Sequence, residues 1–96
     1  MVSQIRRVVL DVLKPHEPSI IEFARRLSKL KGIDGVNCML EEVDQATETL
    51  KIIIEGPNIN FDLVKDTIKD CGGAIHSVDS VSTGKKVVEN VETPQD

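Results

Sequence analysis

The stretch Val8-Val9-Leu10-Asp11-Val12-Leu13 constrains this chain more than any other. It is an apolar run broken by one carboxylate, entered from Arg6-Arg7 and left through Lys14-Pro15-His16-Glu17-Pro18. A run of this length ending in a proline-rich turn reads as a strand buried on at least one face. Pro15 and Pro18 stop it, because proline has no N–H for a ladder and fixes its own φ. Such a strand needs a covering layer, and the rest of the chain is patterned to supply one.

Pro18 suits the first position of a helix, with His16 or Glu17 near the cap. Ile20, Phe23, Ala24, Leu27 and Leu30 recur at helical spacing, so a helix is expected over residues 18–31, ended at Gly32 with Ile33 as the closing apolar contact. Residues 36–43 read as a second strand, Asp44 to Glu48 as a polar hairpin loop, and the Ile-rich residues 50–55 as a third strand. Asn60 is placed to cap a second helix, with Ile59 and Val64 as a hydrophobic staple and Phe61, Val64, Ile68 and Cys71 as its apolar stripe. Gly72-Gly73 ends that helix, and residues 74–81 form a fourth strand. Beyond the Gly84 break, residues 85–92 have the valines of a short extra strand.

Strand, helix, strand, strand, helix, strand is the ferredoxin-like βαββαβ order, an α+β sandwich. Right-handed crossovers place both helices on one face of a four-stranded antiparallel sheet, with the first and third strands central. Alternation then divides the strands. Val8, Leu10, Val12, Leu50, Ile52 and Ile54 face the helices. Arg7, Val9, Asp11, Lys51, Ile53 and Glu55, joined by Asn37, Met39 and Glu41, face away. An apolar centre rimmed by charge suits a subunit interface. The plainer alternative is a solvated face with scattered apolar residues.

The 96 residues make a single domain whose small core invites support from oligomerisation. The net charge of −4 opposes nonspecific nucleic-acid binding, and with two Phe and no Tyr or Trp there is no stacking platform for bases. No run of residues has the length of a membrane span, and the N-terminus lacks a signal-peptide pattern. Cys38 and Cys71 lie in different elements without a CxxC, which suits free, reduced thiols packing in a cytoplasmic protein.

Asp11, in the middle of an apolar strand, is the residue most in need of explanation. It is either a metal ligand or interface contact, or simply a carboxylate paired with Arg7 or Lys51 on the open face. His76 and Asp79 are divalent-metal ligand types, but three apart on a regular strand they point to opposite faces. One ion takes both only across a bulge or between subunits. His16 reads as a turn residue, and Glu41, Glu42, Asp44 and Glu48 as a solvated acidic turn without the glycine of a calcium loop. A glycine-rich phosphate loop, GxSxG and HExxH are all absent. Among chains of this architecture, the copper-chaperone type needs a CxxC in the first loop and the acylphosphatase type an arginine there. The ACT type usually has glycine after the loop proline, where His16 follows Pro15 here.

LDVLKPHEP at residues 10–18, GVN at 35–37, IHSVD at 75–79 and VETPQD at 91–96 occur in an order that resembles the archaeal family called domain of unknown function 211. The resemblance spans nearly the whole chain. It implies a ferredoxin-like fold, a cytoplasmic archaeal protein and ring-like homo-oligomers, with divalent cations at acidic positions and no established activity. The family's recurring Asp11, His76 and Asp79 are all kept. The expectation is therefore a non-enzymatic, self-associating module that binds a small ligand or a divalent cation at subunit junctions, with the tail from residue 84 engaged in assembly. The alternative is an enzyme whose site is completed only between subunits.

Overall fold

The central strand forms as the apolar run requires and extends beyond it, as β1 (Ile5–Pro15), in a computed structural model that describes residues 4–89. There follow α1 (Ile20–Ser28), β2 (Gly35–Val43), β3 (Thr47–Glu55), α2 (Phe61–Asp70) and β4 (Ala74–Thr83). The sheet order is β2-β3-β1-β4 with every neighbouring pair antiparallel, which is the ferredoxin-like α+β arrangement. As the alternation predicts, Val8, Leu10, Val12, Leu50, Ile52 and Ile54 are each at most 1% exposed. Phe23 and Leu27 of α1, with Val64 and Ile68 of α2, close over them.

Each helix begins where a side chain can accept an orphan N–H. Asn60 caps α2 as expected, taking the Leu63 N–H at 3.3 Å, and Ile59 and Val64 are both buried beside it. For α1 the expected start is corrected. Ser19 is the cap in place of His16 or Glu17, and the helix starts at Ile20 and not at Pro18, because the Ser19 hydroxyl accepts the Glu22 N–H at 3.2 Å. The α-helix also stops at Ser28, ahead of the expected residue 31, and single turn bonds from Leu30 to Leu27 and from Ile33 to Leu30 carry the chain to Gly32. Gly32 has φ +88°, and a Cβ there would stand 2.1 Å from the Asn58 carbonyl oxygen. A Cβ on Gly56 would meet the Gly32 oxygen equally closely, so the α1–β2 and β3–α2 connections cross backbone to backbone.

Both edge strands are bulged. On β4, Asp11 pairs with Ser77 and Val12 with Ile75, which leaves His76 unpaired. Two residues on, Val9 pairs with Ser80 and Leu10 with Val78, which leaves Asp79 unpaired. On β2 the extra residue is Glu41, between the Leu40–Leu50 and Glu42–Thr49 pairs.

An extra strand over residues 85–92 is not found in the part described. Residues 84–89 run without strand pairing along their own chain. Arg6 Nη1 donates to the Lys85 carbonyl at 2.7 Å, Ser82 Oγ donates to the Val88 carbonyl at 2.9 Å, and Arg7 pairs with Glu89 at 3.8 Å. Arg6 and Ser82 thereby satisfy backbone oxygens that a ladder would otherwise use. Residues 90–92 and the VETPQD motif lie outside the described residues. Among those described, no helix is long and apolar enough to cross a membrane.

Candidate functional site

On the uncovered face, Asp11 lies at the middle of β1, opposite Lys51 of β3 on one side and Ser77 of β4 on the other. The expected pairing of Asp11 with Arg7 or Lys51 does not occur. Arg7 Nε turns to Glu55 at 3.2 Å and its Nη2 to Glu89. Lys51 pairs with Asp79, whose other oxygen accepts from Ser77 Oγ at 2.7 Å. The bonds from Lys51 and then Ser77 hold the Asp79 carboxyl below its ordinary range, and Asp79 in turn lifts Lys51. Asp11 is left behind. Its Oδ1 is enclosed by the protein and has no hydrogen-bond partner. An enclosed carboxylate oxygen without a donor is costly, commonly by about 1–3 kcal/mol.

The bulges place the other two candidate ligands. Asp79, as the extra residue of its bulge, reaches Lys51 on the open face, whereas His76 is the extra residue of the next bulge and is exposed. Among the described residues of one chain, no three His, Cys, Asp or Glu side chains gather closely enough to hold a metal ion. Asp11 and Asp79 therefore share a face and a lysine neighbourhood without forming a closed ligand set. Around them, Val9 and Ile53 are half-buried and Met39 is 45% exposed. A shallow cleft of about 330 Å³ borders the same sheet beside Asp34, Asn37, Ile53 and Glu55.

A second polar cluster lies at the end of β1, and Glu48 belongs to it rather than to a solvated acidic turn. Lys14 continues the parity of Val8, Leu10 and Val12, so its side chain points under the helices and is 0% exposed. Its Nζ donates to the carbonyls of Pro18 at 2.7 Å and Pro15 at 2.9 Å, and lies 2.9 Å from Glu48 Oε1. The His16 carbonyl stands further off at 3.4 Å, and the Phe23 ring centroid at 6.0 Å. The acceptors outnumber the three ammonium protons, which is how a buried lysine is tolerated. The other Glu48 oxygen meets His16 Nδ1 at 3.1 Å. Bonds from Lys14 first and His16 second hold Glu48 below its ordinary range, while Glu48 and the Gln45 carbonyl raise His16. The parity of Lys14 was the available signal for this cluster, hidden because a lysine before two prolines reads as the exit of a strand.

The two cysteines are free. Cys71 is buried at the end of α2, and Cys38 is half-buried on β2, where desolvation pushes its thiol up to about 11.

The family model DUF211, described as an uncharacterised ArCR family, matches residues 6–96. The chain is also 53% identical over 92 residues to the uncharacterised protein MJ0319 of Methanocaldococcus jannaschii, covering 96% of this chain and 95% of that protein. The match takes in both the open face around Asp11 and the Lys14–Glu48–His16 cluster, and on it the chain belongs to the archaeal DUF211 family.

Proposed function

We propose that this protein is a non-catalytic, self-associating module that takes a divalent cation or a small cationic ligand where the open sheet face meets a second copy. The observation that carries the reading is the enclosed, unpartnered Oδ1 of Asp11, at the centre of the one sheet face that no helix covers. A cation, or a donor from a neighbouring copy, supplies what the chain itself withholds. Asp79 stands on the same face, and an oxygen-rich set suits a hard ion such as Ca²⁺ or Mg²⁺. His76, exposed at the neighbouring bulge, is available to an ion shared between copies. Half-buried Val9 and Ile53 with exposed Met39 give that face an apolar centre for a protein partner.

Binding is preferred to catalysis because two of the candidate proton carriers already hold partners within the chain. His16, one of two histidines, has Glu48 and Gln45 on its two ring nitrogens, and Asp79 is held by Lys51 and Ser77. Head-to-tail repetition of the contact closes a ring, with the tail segment covered by the adjacent copy, which would shield Val88, 66% exposed in the single chain. Two free thiols suit a reducing cytoplasm.

Native mass spectrometry of the purified chain, with and without chelator, tests the reading. The expected result is an oligomer that retains a divalent ion and loses it on Asp11→Asn substitution. A bare monomer at micromolar concentration, in both samples, would overturn it.

A further inference from the structure

Both ring nitrogens of His16 face acceptors. Nδ1 is 3.1 Å from Glu48 Oε2, and Nε2 is 2.9 Å from the Gln45 carbonyl oxygen. A neutral imidazole carries a single N–H and satisfies one of these, setting a lone pair against a lone pair at the other. Only the imidazolium donates to both. The ring also joins two segments that are distant in sequence, the β1–α1 turn and the β2–β3 hairpin.

We propose that His16 is a protonated latch, tying the tip of the β2–β3 hairpin to the β1–α1 turn, and that loss of its proton releases the tip. The charged group facing the ring is Glu48 from β3, whose other oxygen holds Lys14 from the end of β1, while Asp44 of the hairpin reaches the ring through its backbone. Glu48 favours the charged ring and Lys14 opposes it. Lys14 is caged by carbonyls, so the Glu48 carboxylate stays in place whichever state the ring adopts. A neutral ring keeps its one proton on Nδ1, where the carboxylate makes the stronger bond, and gives up Gln45. The bond lost on deprotonation is therefore the one that holds the tip.

The imidazole is 40% exposed, so solvent protons reach it without any opening of the core. The released segment joins β2 at Val43, which is 60% exposed at the outer edge of the sheet. A change of proton occupancy at one turn is in this way read at a free strand edge. The device stands independently of any ligand at Asp11.

The test is an NMR titration of the full-length chain. With two histidines present, the ring ¹⁵N signals of His16 are assigned against His76→Gln. Both ring nitrogens are expected to be protonated at slightly acid pH, with a midpoint above the ordinary 6.5. The Asp44 N–H, which closes the hairpin on the Thr47 carbonyl at 2.8 Å, is the reporter of the tip. Its exchange protection, corrected for base catalysis, should fall roughly three- to tenfold across the same midpoint, the worth of one hydrogen bond. Protection of the Ile52 amide in the sheet should not change. His16→Gln should show the low tip protection at every pH. A neutral ring at pH 6, or tip protection that ignores the His16 titration in the wild-type chain, would overturn the latch even if the variant failed to fold.

Discussion

Lys14 and Glu48 face each other across β1 and β3, and the ammonium sits 2.9 Å from the carboxylate with none of the lysine side chain exposed. A charge so placed is tolerated only because carbonyls and carboxylate surround it. Lys14→Met should therefore strand Glu48 and the Pro15 and Pro18 carbonyls without their donor. We expect a loss of about 3 kcal/mol, read as a lower urea midpoint with an unchanged m-value. A loss below about 0.5 kcal/mol, the level of an ordinary surface substitution, would mean that water replaces the ammonium freely.

The same cluster sets a pH window. Glu48 is held below its ordinary 4.5, so its contribution is complete above that value and is lost as pH falls through the folded value. His16 is raised above 6.5, so its contribution is complete below 6.5 and is lost as pH rises through the folded value. Both act together between 4.5 and 6.5. Urea midpoints should peak in that interval, and Glu48→Gln should flatten both limbs. Wild-type midpoints rising steadily to pH 8 would contradict the assignment.

Much of this architecture is legible in the sequence, and the failures have local causes. The helix-facing set on β1 and β3 follows from strict alternation between residues that pair without a shift. The Asn60 cap is legible because an Asn followed by an amphipathic stripe leaves few alternatives. Alternation fails on β4, where bulges at His76 and Asp79 each add a residue, and no composition signal marks a bulge. The expected pairing of Asp11 fails for the same reason, since Asp79 reaches the open face and takes Lys51 only through its bulge. Lys14 escaped because its burial depends on carbonyls from a turn whose path is set by tertiary packing.

Substitution on the open face should separate assembly from folding. Met39→Glu and Ile53→Glu each place a charge in the apolar centre while leaving the helix-facing core untouched. Sedimentation equilibrium should show loss of the oligomer, with near-native circular dichroism. A charge buried without a partner at an interface commonly costs about 2–5 kcal/mol. Wild-type assembly in both variants would place the contact elsewhere.

The cysteines should react slowly. Cys71 is 5% exposed, and the Cys38 thiol, pushed up to about 11, carries almost no thiolate at neutral pH. Native titration with a thiol reagent at pH 7.5 should leave both unlabelled for minutes, and denaturation should release them together. Immediate native labelling of both would contradict this packing.

Deletion of residues 84–96 removes the carbonyls that Arg6 and Ser82 bond, yet takes none of the core residues found among the described ones. The expected product is a folded domain with fewer subunits by light scattering. An unchanged subunit number would separate the tail from assembly.

The bulged borders of the sheet also bear on aggregation. A straight foreign strand laid along β4 meets a ladder broken at His76 and again at Asp79, and one laid along β2 meets the break at Glu41. Neither side offers an unbroken row of backbone groups along its full length for fibril-like stacking. The edges of the sheet thus resist the runaway cross-β growth that open sheets invite.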